Sequence, residues 1–261
     1  LIECVRDFKG YMVDYLKKEN DKFVDMVLNT NSDTQVRKFM KSIDSFYTGL
    51  TQNDINIIQD IISTKVIYRD YIVFNYTTTL DTLLSLYSRY EGEIENEPIH
   101  IHGRLDKDVV LGIDNIEQIK SSNFLLSKKG KRAFVKTIFN EQYDVSRVDA
   151  AKESIVNSDI ICVYGFSMGD SDKMWVDLLA TWLIDNPNHH IVIFQYDKTK
   201  YHSYNRDEMM DVEDEKKDFI MKKLGIKNEA ISNQIHIPIG VDLFDFSWQL
   251  PTVRPIEEVF A

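Results

Sequence analysis

Apolar residues in the first quarter of the chain recur at steps of three and four. Val5, Phe8, Met12, Tyr15 and Leu16 follow this spacing, as do Val36, Phe39, Met40, Ile43, Phe46 and Tyr47, and then Ile55, Ile58 and Ile62. That is the helical period, so residues 1–64 are expected to form a helical region packed on the core. Thr51-Gln52-Asn53-Asp54 supplies helix-start chemistry for the third segment. At residue 65 the texture changes. Short β-branched and aromatic runs now alternate with helical ones. Strands are expected at Val66–Tyr68, Tyr71–Phe74, Ile99–His102, Val109–Leu111, Asp159–Tyr164, His190–Tyr196 and Gln234–Ile237. Helices are expected at Thr77–Tyr87, Asp144–Asn157, Asp172–Leu183 and Asn205–Leu224. Apolar strands separated by helices predict an α/β fold over residues 65–261, with a parallel sheet flanked by helices. The charged run DEMMDVEDEKKD at 207–218 is expected to be the solvated side of a helix.

Composition narrows this picture. The 261 residues carry a net charge of −11, which opposes a general nucleic-acid binder, since that needs a basic footprint. The longest apolar runs are about five residues, far short of the roughly 20 that span a bilayer. Cys4 and Cys162 are the only cysteines. They make no disulfide framework, and a reducing cytoplasm is expected.

Three stretches can carry chemistry. In FNYTTTLDTLL (74–84), Asn75 stands at the end of a predicted strand, where open α/β sheets bind ligands. Its amide both donates and accepts, which suits a ribose hydroxyl or a water; it also suits a turn backbone. Thr77–Thr79 offer N-cap hydroxyls. In PIHIHGRL (98–105), His100 and His102 alternate along a strand and are expected on one side. A histidine here serves either as a general base or as a buried structural residue. No Cys or carboxylate spacing completes a metal site around them, so no metal is expected.

The third stretch, VYGFSMGDSD (163–172), matches the G-x-S-x-G elbow of serine hydrolases, with Asp197 and His236 following in the Ser…Asp…His order of that fold. Against this, GDSD separates the serine from the next helix, so that Asp170 or Ser171 looks like its N-cap. Asp170 and Asp172 would also oppose a developing oxyanion.

FNYTTTLDTL, IHIHGRL…VVLGID and VYGFSMGDSDKMW, in this order and spacing, resemble the bacteriophage abortive-infection AbiH family. That family is in turn similar to the sirtuin-like antiviral NAD hydrolases. The resemblance implies a Rossmann-like core, a functional Asn at Asn75 and a functional His at His102. It implies a ligand wall at Thr77, Gly103, Gly165, Ser167 and Asp172, and NAD as substrate without a metal. Ser167 then bonds ligand and is no nucleophile. A phage-protein trigger or defence partner and a homo- or hetero-oligomer are implied as well. A nucleotide-binding sensor without catalysis and a serine hydrolase using Ser167 are the alternatives. The strand and glycine turn, G-N-G-F-D or G-A-G-x-S, that open these families have no match in the chain. Residues 1–261 are therefore expected to bind NAD poorly and to turn it over slowly or not at all. The acidic turn at Asp170–Asp172 would face the phosphates unassisted, each such repulsion being of order 3 kcal/mol at about 6 Å and an effective dielectric of about 20.

Overall fold

The computed structural model describes residues 2–29, 33–92, 96–107, 109–113, 131, 135–136, 145–195, 206–240 and 243–244. The expected helices open the chain: α1 (Ile2–Asn29), α2 (Asp33–Asp44) and α3 (Gln52–Ser63). Thr51 caps α3, its hydroxyl oxygen accepting from the Asp54 N–H. A short strand, β1 (Ile72–Val73), leads into α4 (Thr79–Glu91), and β2 (Ile99–His100) follows. Next come α5 (Val145–Asn157), β3 (Ile160–Tyr164), a 3₁₀ turn at Asp170–Asp172, α6 (Lys173–Asp185) and β4 (His190–Phe194). The helix α7 (Arg206–Leu224), a 3₁₀ turn at Glu229–Gln234 and β5 (Ile235–His236) complete the order.

The expected parallel pairing is present, distributed over two short sheets. β1 pairs with β2, Ile72 beside Ile99. In the second sheet β4 lies between β3 and β5, all parallel. All five residues of β4 are buried, and side chains alternate across a strand, so both faces need cover. Ile191 and Ile193 join the core made by α5, α6 and α7. Val192 and Phe194 turn the other way, onto Ile58 of α3. A further cluster joins Val27 of α1, Val36, Phe39 and Met40 of α2, and Leu83, Leu84 and Leu86 of α4.

Several sequence expectations are corrected. Val66–Tyr68 forms no strand and pairs with none among the described residues, and its three side chains are exposed. Val109–Leu111 is no strand either, though the Val110 N–H donates to the His102 carbonyl at 2.8 Å. The helical stripe of α1 is not buried at Phe8 or Tyr15. Within the charged run of α7, Glu213 is buried and pairs with Lys217 at 2.7 Å, one helical turn on.

Polar side chains lock the helical region to the strands at two places. On α1, buried Asn20 accepts from the Thr78 N–H at 3.0 Å and donates to the Thr78 hydroxyl at 3.1 Å. Thr78 itself makes no side-chain cap on α4, so a residue 58 positions away satisfies that helix start. Beneath α3, His190 Nδ1 and His236 Nε2 lie 2.9 Å apart, and the rings stack. His236 Nδ1 is 3.0 Å from Asp54 Oδ1, with poor hydrogen-bond alignment. Burial, then the neighbouring His236, pushes His190 down to about 4. Asp54 is held below the usual carboxylate range: burial alone would raise it, but His236 and Thr51 prevail.

Two outcomes follow from these locks. Asn20→Ala leaves the Thr78 N–H unpaired, and chemical denaturation is expected to show a loss of about 1–2 kcal/mol. Because His190 is depressed in the folded state, its contribution is complete above its ordinary 6.5 and disappears as pH falls from there toward 4. The denaturation midpoint is expected to drop across that window. His190→Gln is expected to flatten this slope, and an unchanged slope would contradict the assignment.

Candidate functional site

The site forms from the segments that follow β1, β2 and β3. After β1 the run Phe74-Asn75-Tyr76-Thr77 bends toward α4. The Asn75 side-chain oxygen accepts from the Thr77 N–H at 3.2 Å, a local turn bond, and the residue is exposed. Asn75 thus serves the turn backbone, as one reading of the sequence allowed, while its NH₂ group makes no hydrogen bond among the described residues. Thr77 enters the same turn and accepts from the Thr79 hydroxyl at 3.4 Å.

β2 ends at His100, and a turn follows. Gly103 closes it with φ at +78°, its N–H donating to the His100 carbonyl at 3.2 Å. That backbone is in the left-handed region where glycine is favoured. The turn also breaks the strand alternation. His100 and His102 therefore take separate partner sets, where strand geometry alone predicted a shared side. His100 Nε2–H donates to Asp81 Oδ2 at 2.9 Å, and Nδ1 lies 3.4 Å from the Asn75 carbonyl. Arg104 bridges Asp81 and Asp106 at 2.9–3.0 Å. Burial alone would raise the Asp81 carboxyl, yet His100 and Arg104 hold it low. This cluster braces the turn around Asn75.

His102 is buried and meets the loop after β3. Its Nε2 is 3.2 Å from Asp172 Oδ1. Lys136 Nζ lies 3.3 Å from the same nitrogen and 3.2 Å from the same oxygen. The Ser171 hydroxyl donates to Asp172 Oδ2 at 3.0 Å. Burial would raise the Asp172 carboxyl, but the His102 bond and the Lys136 charge carry it down to about 2, so it is an anion at neutral pH. His102 is lowered from 6.5, first by burial and also by Lys136 and Arg147, although Asp172 pulls the other way. Burial, then the Asp172 charge, raises the Tyr76 phenol to about 12. Phe74 walls the site, packing against His102, Phe166 and Trp175 at centroid distances of 5.6, 4.6 and 5.6 Å.

The loop reaches Asp172 through unusual backbone. Gly165 has φ at +65°, and Met168, a non-glycine, has φ at +50°. Left-handed backbone is uncommon for an unbranched non-glycine residue and has to be held by its surroundings. Met168 is held by burial of its side chain in the core. Asp172 occupies the N-cap position of α6. The helix begins at Lys173, six residues after Ser167; Asp170 and Ser171, the expected N-caps, lie instead in the 3₁₀ turn before it.

Of the residues singled out in the sequence, His102 and Asp172 are in direct contact. Asn75 and Ser167 are chain neighbours of the stacked Phe74 and Phe166, while Thr77, Gly103 and Gly165 shape the adjoining turns. The serine-hydrolase arrangement is not assembled. Ser167 bonds no histidine among the described residues, and His236 is wholly buried beside His190 and Asp54. Asp197 lies outside the described residues. Lys136 was missed: KKGKRAFVK (128–136) reads as a basic surface stretch, with no motif to mark its last residue. Its N–H is tied to the Ile113 carbonyl at 2.8 Å, next to a parallel bridge between Ile113 and Val135.

Comparison with protein families matches residues 2–194 to the bacteriophage abortive infection family AbiH. No curated protein and no solved structure matches the chain. The family match takes in the three helices, β1 to β4 and every residue of the His102 site, well over half of the sequence, and on that ground the chain belongs to the bacteriophage abortive infection AbiH family.

Proposed function

We propose that this chain is an abortive-infection effector that hydrolyses NAD at the nicotinamide–ribose bond, with His102 as general base. One observation carries the reading. A buried histidine, kept neutral near pH 7 and bonded to an ionised carboxylate, stands at parallel strand ends next to an exposed Asn75. Strand C-termini are where such sheets take nucleotides, and a base must be unprotonated to act.

Cleavage breaks the C1′–N bond, and the electron pair leaves with neutral nicotinamide. The ribose becomes oxocarbenium-like. A water oxygen bonds C1′ and its proton passes to His102, which releases it to solvent. Asn75 orients the ribose hydroxyls and the water. Gly165, with its left-handed turn, and Ser167 contact the ribose or phosphate side. No step requires a metal. Depletion of a shared cofactor stops the host cell, which is the logic of abortive infection. A phage protein as trigger, an oligomeric active form and a cytoplasmic setting belong to the same proposal.

The expected repulsion between the acidic turn and the substrate phosphates is revised for Asp172. The Lys136 ammonium 3.2 Å away offsets its charge.

The test incubates the purified full chain with NAD and quantifies nicotinamide and ADP-ribose. Slow cleavage is expected, in keeping with the weak NAD binding expected of residues 1–261, and His102→Ala is expected to lower the rate about 10²–10⁴-fold without loss of fold. The acid limb of the profile is expected below pH 6.5, since the group that must stay neutral is depressed from that value. NAD that binds and is recovered intact would replace this reading with a nucleotide sensor.

A further inference from the structure

The three atoms at the centre of the site do not have equal freedom. Asp172 Oδ1 only accepts and Lys136 Nζ only donates, whereas His102 Nε2 does either. They form a near-equilateral triangle of 3.2, 3.2 and 3.3 Å. The other ring nitrogen, His102 Nδ1, is buried and has no hydrogen-bond partner among the described residues.

Two arrangements satisfy the triangle. In one, Nε2–H and Lys136 both donate to Asp172, and Nδ1 presents a lone pair. In the other, Lys136 donates to Nε2, and Nδ1 carries an N–H that meets no acceptor. An orphaned buried N–H is rarer and costlier than an under-used acceptor lone pair. The walls nearest the ring, Phe74 and Tyr76, are aromatic, and the Tyr76 hydroxyl is turned to the Val110 carbonyl. Both features favour the first arrangement.

We infer that the working nitrogen of His102 is Nδ1 and that Lys136 is a positioning residue, sharing the Asp172 corner so that the ring stays neutral with its lone pair toward substrate. This rests on the general-base reading above and adds which atom takes the proton. Asp172 alone would draw His102 into an imidazolium–carboxylate pair and leave no base. Lys136 neutralises that carboxylate and repels a second positive charge on the ring. Arg147 of α5 acts in the same sense at longer range, and burial works in the same direction, while Asp172 opposes all three. Tyr76, raised to about 12, contributes no charge at neutral pH. Once Nδ1 has taken a proton from water, the nearby ammonium favours its prompt release to solvent.

The test is two-bond ¹H–¹⁵N NMR on the intact chain with labelled histidine, the His102 signals being assigned by their loss in His102→Gln. At pH 7 the wild type is expected to show Nε2–H and an unprotonated, pyridine-like Nδ1. In Lys136→Met the His102 midpoint is expected to rise by about one unit or more, and Lys136→Arg is expected to restore it. A wild-type Nδ1–H tautomer overturns the inference whether or not Lys136→Met folds, as does an unmoved midpoint in the folded variant. The acid limb of NAD cleavage is expected to shift in parallel with the NMR midpoint. A midpoint that moves in a protein that never cleaves NAD would leave the role of Lys136 intact and remove the hydrolase reading.

Discussion

An ionised carboxylate inside a protein has to be met by opposite charge or by donors, and Asp172 is such a group. Two distant parts of the chain and the preceding residue answer that demand. The turn after β2 brings His102, the residue beside the Ile113–Val135 bridge brings Lys136, and Ser171 adds its hydroxyl. The same demand explains the loop leading to Asp172. Its left-handed Gly165 and Met168 carry the chain from β3 to the start of α6, and burial of Met168 anchors the bend. Burial, with the Lys136 charge beside it, lowers His102, and the His102 bond together with Lys136 lowers the carboxyl of Asp172. Without the lysine the pair would relax toward an ordinary salt bridge.

The two histidine clusters show how the same chemistry serves different ends. His190 and His236 use each other and Asp54 to fill polar positions on the α3 side of the sheet, and His236 has no exposure at all. Each ring there has a neighbour for the nitrogen that faces the cluster. His236 Nδ1 lies 3.0 Å from Asp54 Oδ1 in poor alignment, and His102 Nδ1 has no hydrogen-bond partner among the described residues. What sets His102 apart is its contact with Asp172 and Lys136 beside the exposed turn at Asn75.

Much of this was legible in the sequence. The spacing of Val36, Phe39, Met40 and Ile58 marked helices that are present, and the β-branched runs of β3 and β4 marked parallel strands, of which β4 is wholly buried. The GDSD spacing separated the helix start from the serine, although the N-cap is Asp172 and not the expected Asp170 or Ser171. Three things were not legible. Lys136 depends on a tertiary contact, and nothing local distinguishes it from its basic neighbours. The His100/His102 pattern read as one face because strand alternation was extended through a turn that Gly103 closes. Val66–Tyr68 has strand composition without a partner strand among the described residues, and pairing is a tertiary property that composition does not fix.

Membership of the AbiH family ties the chain to phage abortive infection, and the account holds that this defence runs through the His102–Asp172–Lys136 centre. The most direct measurement is protection of bacteria from phage by the intact protein, compared with Asp172→Asn at matched protein level and matched thermal stability. The substitution keeps the shape of the side chain and removes the charge that organises the centre. The account predicts that protection is lost. Undiminished protection by a folded Asp172→Asn protein would contradict it.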